Sequence, residues 1–129
     1  MIFALVICHK LDIMCFMKVK ISKYYDACTT RGRARKVRDL ILGQMSSEAT
    51  ELIIDLTRLE FVSLSFLDEL IVVSIMNGIF AKQKITIVSD SPTVEKYIRK
   101  AANIRNTEIK NISIKKERAD GACVSAAAG

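Results

Sequence analysis

Apolar positions along this chain switch between period 2 and period 3.6, and each switch predicts an element. Val19 and Ile21 alternate with Lys18, Lys20 and Ser22, the pattern of a half-exposed strand. Thr29 or Thr30 then caps a helix to about Met45. Ala34, Val37, Ile41 and Met45 recur at 3/4 spacing as its buried stripe, and its arginines are expected mostly on the open face. Leu52, Ile53, Ile54 and Leu56 form an unbroken apolar run, as in a central strand covered on both faces. Phe61 and Val62 are expected to re-enter the core. A helix over Phe66 to Phe80 follows. Its polar residues do not gather on one side, so it is buried nearly all round or offers an apolar face to a partner. Lys84 to Val88 is a short β-branched strand. Ser91-Pro92 starts a third helix with a cap and then Pro at the first position, and Val94, Ile98 and Ala101 line its inner face. Glu108 to Ile114 alternates imperfectly and is expected as an edge strand.

This order of strand, helix, strand, helix, strand, helix, strand predicts an α/β fold. The sheet has four or five strands, mostly parallel or mixed, joined by right-handed crossovers. The Leu52–Leu56 strand should be central, with Phe66–Phe80 packed on it.

The 129 residues are half apolar and contain one Pro, which favours a single compact domain. Cys8, Cys15, Cys28 and Cys123 form no C-x-x-C pair, and His9 is the only histidine. Neither a zinc site nor a disulfide scaffold is expected, and reduced thiols fit a cytoplasmic setting. Ile2 to Cys8 and Ile13 to Met17 are apolar but too short to span a bilayer. Residues 1–17 read as an appended strand or hairpin, a membrane-touching segment, or sequence upstream of a start at Met17; no stable membrane insertion is expected. The domain proper is expected over 18–116, and 117–129 as a frayed tail.

The net charge of +6 is uneven. Arg31, Arg33, Arg35, Lys36 and Arg38 put five cations into eight residues without an acid. Lys110, Lys115, Lys116 and Arg118 form a second group. Such clustering concerns acidic partners rather than fold. Arg31, Arg33, Arg35 and Arg38 are the candidates for an anionic partner, as a solvated face or a phosphate-contacting one. No aromatic residue interleaves with them, and no helix-turn-helix pattern is visible.

There is no P-loop, no glycine-rich dinucleotide turn, no H-E-x-x-H and no Ser/His/Asp set. No catalytic residue, metal ligand or cofactor is expected. Asp68 and Glu69 lie about 100° apart on a helix, which disfavours paired acid/base work and suits the helix dipole. Asp55, at a strand end, either binds a ligand or begins the next turn. Ser65 is expected to cap the Phe66 helix, with Asp68 reaching back as in a capping box. Cys28, near Arg31, is expected to have a lowered pKa but is a poor nucleophile on its own.

Two stretches carry a family resemblance. Thr30-Arg31-Gly32-Arg33-Ala34-Arg35 resembles a Ser-Arg-x-x-Ala-Arg helix start. Asp55 through Leu70, with the core Ser65-Phe66-Leu67-Asp68-Glu69-Leu70, resembles a strand–turn–helix signature. Both are similar to a STAS-like subfamily of bacterial and archaeal proteins, related to the STAS domains of sulfate transporters and anti-sigma-factor antagonists. The resemblance covers roughly Lys18 to Ile114. It implies a sheet with helices mainly on one face and a non-enzymatic, prokaryotic regulatory domain that binds a protein. In the wider family such partners are often ATPases of the histidine-kinase type, and a second copy of the chain is a further candidate. Ser65 falls where antagonists carry a phosphorylated serine. Ser63 replaces the family Asp, and Phe66 replaces a Gly and is expected to crowd the turn. The docking surface implied is Ser63, Ser65, Phe66, Asp68, Glu69 and Asp55. The rival reading is a small basic nucleic-acid-associated protein that uses the Arg31–Arg38 face.

Overall fold

Strands and helices alternate as the pattern predicts. The computed structural model describes residues 5–9, 14–46, 48–109 and 112–116. Its strands are β1 (Leu5–His9), β2 (Met14–Lys20), β3 (Ala27–Cys28), β4 (Glu51–Asp55), β5 (Phe61–Val62), β6 (Lys84–Ser89) and β7 (Ile112–Lys116). Its helices are α1 (Arg31–Gln44), α2 (64–76) and α3 (Pro92–Ile104). The expected tail, Lys110 and Arg118 lie outside the described residues.

The main sheet has the order β1-β2-β4-β6-β7. β2, β4, β6 and β7 are parallel, and β1 pairs antiparallel with β2. This is an α/β fold with a four-stranded parallel core and three helices. The crossovers through α1, α2 and α3 all step the same way across the sheet, so right-handed connections place all three helices on one face. Met17, Val19, Leu52, Ile54, Ile85 and Ile87 share a buried cluster with Ala34, Val37, Ile41, Leu67, Leu70, Val94 and Ile98. β4 is central, as expected. Its cover is one-sided, however: Leu52 and Ile54 are fully buried under the helices, while Ile53, on the opposite face, is only half-buried. The apolar run therefore does not require two covered faces.

β2 begins at Met14, so an 18–116 boundary would fall inside a strand. The edge strand β7 is displaced along the chain to Ile112–Lys116, and Ile112 and Ile114 face the core. Among the described residues, no helix is long and apolar enough to cross a membrane.

A feature not foreseen is the small parallel pair β3–β5, with Ala27 against Phe61 and Cys28 against Val62. It sits beyond the carboxyl ends of β2 and β4 and sets the starts of α1 and α2 side by side. Phe61 does not re-enter the core; it is 66% exposed.

α2 also departs from expectation. It starts at Leu64, passes into a π-helical stretch over Asp68–Val73 and ends at Met76. The chain then turns through Gly78, whose positive φ of 75° favours glycine, before Phe80 returns to the core. The expected burial on nearly all sides holds: Phe66, Leu67, Leu70, Ile71 and Val72 are buried, and so are Asp68, Glu69 and Ser74.

Candidate functional site

The signature residues lie at the carboxyl end of the parallel strands, where open α/β sheets bind ligands. Asp55 ends β4. Its Oδ1 accepts from the Thr57 amide at 2.9 Å and the Thr57 hydroxyl at 2.6 Å, so it begins the following turn. Arg58 then takes a positive φ of 65°, and its amide donates to Asp90 Oδ2 at 3.2 Å. This joins the loop after β4 to the loop after β6. A cleft of about 230 Å3 opens between them, lined by Leu59, Phe61, Val62, Ser89, Asp90 and Tyr97.

The cap of α2 is Ser63, not Ser65. Ser63 Oγ accepts from the Phe66 amide at 3.1 Å and donates to the Thr29 carbonyl at 3.0 Å. The Ser63 amide donates to the Cys28 carbonyl at 3.0 Å. Thr30 caps α1 in the same way, accepting from the Arg33 amide at 3.1 Å. One serine thus caps its own helix and ties it to the start of α1. The β3–β5 pairing moves the helix start two residues earlier than the capping-box pattern implied. Ser65 is half-buried within the first turn. Accordingly, Ser63→Ala should cost about 0.5–2 kcal/mol in urea unfolding, while Ser65→Ala should cost a few tenths at most. Equal losses would return the capping role to Ser65.

Phe66 does not crowd the turn; its ring is fully buried. Asp68 and Glu69 are neither a capping box nor solvated dipole partners. Arg105 grips Asp68 with two hydrogen bonds, Nε to Oδ1 at 2.6 Å and Nη2 to Oδ2 at 2.7 Å. Arg31 Nη1 donates to Oδ2 at 2.6 Å from the other side. Glu69 Oε2 accepts from Arg38 Nη2 at 2.8 Å and has Arg35 Nε at 3.8 Å, while Arg31 Nη1 lies 3.6 Å from Oε1. Arg38 Nε also donates to Ser74 Oγ at 2.8 Å, and its Nη2 reaches the Glu69 carbonyl. Arginines from α1 and from the end of α3 therefore close over the outer side of α2.

This corrects the expectation of an exposed arginine face. At about 100° per residue, Arg31, Arg35 and Arg38 fall within an arc of about 60°, directly beside the Ala34–Val37–Ile41 stripe rather than opposite it. That arc faces α2. Arg38 is 12% exposed, Arg31 41% and Arg35 59%. Arg33 points elsewhere: it donates to the Ala27 carbonyl at 2.8 Å and lies 4.3 Å from the Tyr25 ring centre. Arg105 and Ser74 were not singled out from sequence. No local pattern marks them, because their partners are more than thirty residues away or on the turn they complete.

The bonds from Arg105 hold the Asp68 carboxyl below its ordinary range, against the opposing effect of burial. A carboxylate with a depressed folded pKa adds stability above its unfolded value, near 3.9, and loses it as pH falls through the lower folded value. The difference in urea midpoint between wild type and Asp68→Asn should therefore be constant above about pH 5 and shrink below about pH 4. A pH-independent difference would separate Asp68 from acid sensitivity. Cys28 behaves oppositely to expectation. Burial pushes its thiol up to about 11, and Arg33, the nearby charge that acts on it, only partly offsets this.

A wider groove of about 550 Å3 lies between α3 and β7, lined by Ile98, Ile109, Ile112 and Ile114 among others, and none of the signature residues borders it. Among the described residues, no three His, Cys, Asp or Glu side chains gather to hold a metal ion.

Fold and site together define a small α/β domain whose strand–turn–helix signature opens the middle helix of a one-sided helix layer. Residues 33–95 match the family described as STAS-like domain of unknown function (DUF4325), so the chain carries a STAS-like domain over that segment. The match takes in the signature from Asp55 to Leu70 and most of α1. No catalytic activity attaches to that description. No curated protein and no solved structure gives a significant match.

Proposed function

We propose that this chain is a non-enzymatic regulatory domain that docks a protein partner at the carboxyl end of its parallel strands. The observation that carries this reading is Phe61. A phenylalanine on a strand ordinarily buries its ring, but this one is 66% exposed beside the strand-end cleft, two residues before the cap of α2. Exposed aromatic rings beside a concave site are typical anchors of protein interfaces. Ser63, Ser65 and the Asp55 turn border the same end. By the resemblance to STAS domains, the partner would be an ATPase of the histidine-kinase type, and phosphorylation of Ser65 would switch binding. Phe66, Asp68 and Glu69 do not touch the partner, because all three are buried: Phe66 in the core, and Asp68 and Glu69 against arginines.

The rival nucleic-acid reading draws less from the structure. Arg31 and Arg38 are engaged with Asp68 and Glu69, and Arg33 with Tyr25, so fewer cations face outward than the sequence counts.

Calorimetric titration with a purified histidine-kinase-type ATPase encoded in the same genome tests the proposal. Wild type should bind with little change between 0.15 and 0.5 M salt. Phe61→Ala and Ser65→Asp should each weaken binding at least tenfold, about 1.4 kcal/mol. Absence of binding to every such ATPase, together with oligonucleotide binding that falls steeply with salt, would replace this reading with the rival one.

A further inference from the structure

We propose that Arg31, Arg35 and Arg105 form a receiving site for a phosphorylated side chain presented by a protein partner, on the outer face of the helix layer. Four guanidiniums, those of Arg31, Arg35, Arg38 and Arg105, meet two carboxylates, Asp68 and Glu69. The cluster therefore carries a surplus of two positive charges. Arg38 is nearly enclosed, with its Nε directed at Ser74 and its Nη2 at Glu69. The surplus falls on the more open members: Arg35 at 59% exposure, Arg31 at 41% and Arg105 at 35%.

Their donors are only partly engaged. A guanidinium offers five N–H groups. Arg31 directs one nitrogen at Asp68. Arg35 approaches Glu69 only at 3.8 Å, beyond hydrogen-bond range, and makes no other ion pair among the described residues. Arg31 and Arg35 are one turn apart on α1, the spacing at which side chains converge, with Cβ atoms about 5–6 Å apart. Asp68 and Glu69 hold Arg31 and Arg105 in place beforehand, which lowers the ordering cost of receiving an anion.

The chemistry points to a phosphate monoester. It carries nearly two negative charges, which matches the surplus, and its oxygens suit forked guanidinium donors. A polynucleotide calls for a row of cations, and this surface lacks one. Arg33 is stacked on Tyr25, and Lys36 lies about 140° around α1 from Arg31. The exposed Asp39, one turn beyond Arg35, bounds the basic surface on that side. The inference borrows from the proposed function only the idea that the phosphate comes on a protein; the site is separate from the Phe61 cleft.

The test needs no ATPase, so its failure is distinct from failure of the docking proposal. A short Gly-Gly-phosphoserine-Gly-Gly amide would be titrated at constant ionic strength while the arginine Nε–H signals are followed by NMR. The unphosphorylated peptide and a 20-nucleotide oligothymidine serve as the other arms. The phosphopeptide should shift Arg31, Arg35 and Arg105 saturably, and the plain peptide should not. Arg35→Gln should weaken the affinity at least fivefold with its urea midpoint unchanged. No saturable shift, an equal affinity in Arg35→Gln, or tighter and steeply salt-dependent binding of the oligonucleotide would each overturn the proposal.

Discussion

Replacing Arg38 with Ala is expected to lower the unfolding free energy by about 3–5 kcal/mol. Arg38 and Glu69 are both nearly enclosed, at 12% and 11% side-chain exposure. The guanidinium serves the Glu69 carboxylate, the Glu69 carbonyl and Ser74 Oγ at once. Truncation would leave a buried carboxylate without its closest cation, and the cost arises mainly from that stranded charge. It would also remove a donor from the π-helical stretch of α2, where the wider turn leaves the Glu69 carbonyl open to side-chain donors. The double change Arg38→Met with Glu69→Leu should recover much of the loss, because a buried ion pair exchanged for apolar groups of similar volume is often near neutral. Arg35→Gln should change stability by no more than about 0.5 kcal/mol. Urea unfolding of these three variants checks the ranking. An Arg38→Ala loss no greater than that of Arg35→Gln would show that the clamp over α2 contributes little.

Phe66→Ala should cost about 3–5 kcal/mol, by lost transfer energy plus the cavity left behind. The ring is fully buried in the main core beneath the start of α2. It also follows Ser63, whose cap bond is to the Phe66 amide itself, so the ring and the cap fix the same turn. Phe66→Leu keeps much of the volume and should lose clearly less, about 1.5 kcal/mol or under. If Phe66→Ala unfolds with nearly wild-type stability, the ring cannot be the core contact that seats the helix. The larger residue in place of a turn glycine thus works inward, as an anchor for α2, and leaves the outer side of the turn open.

How far the sequence could be read depended on how local the deciding interaction was. The strand–helix alternation, the Ser91 cap, a threonine cap on α1 at 29 or 30 and the inner faces of α1 and α3 all follow from period and capping chemistry within a few residues. The inner positions Ala34, Val37 and Ile41, and Val94, Ile98 and Ala101, are buried as the 3.6 period requires. The role of Asp55 was likewise set by its own turn, through Thr57.

The candidate site was legible as a stretch of chain but not as chemistry. Ser63, not Ser65, became the cap because β3 pairs with β5 and brings the Thr29 carbonyl to the Ser63 hydroxyl across thirty-four residues. Phe61 was expected inside because it is apolar. The pairing that places it on a two-residue strand at the sheet's end also turns it outward. The arginine run looked solvated since charge alone does not say what lies next to a helix. Its arc beside the apolar stripe could have been computed from the sequence, but the acids that face it could not. Asp68, Glu69 and Arg105 come to Arg31 and Arg38 only when α1, α2 and α3 pack on one face of the sheet. The sequence by itself determined which segments would be strands or helices and which sides they would bury, because those depend on the period of apolar residues and on local caps. Only the tertiary structure decided which charges would be paired, which serine would cap and which aromatic ring would remain open, because those depend on neighbours that the chain supplies from far away.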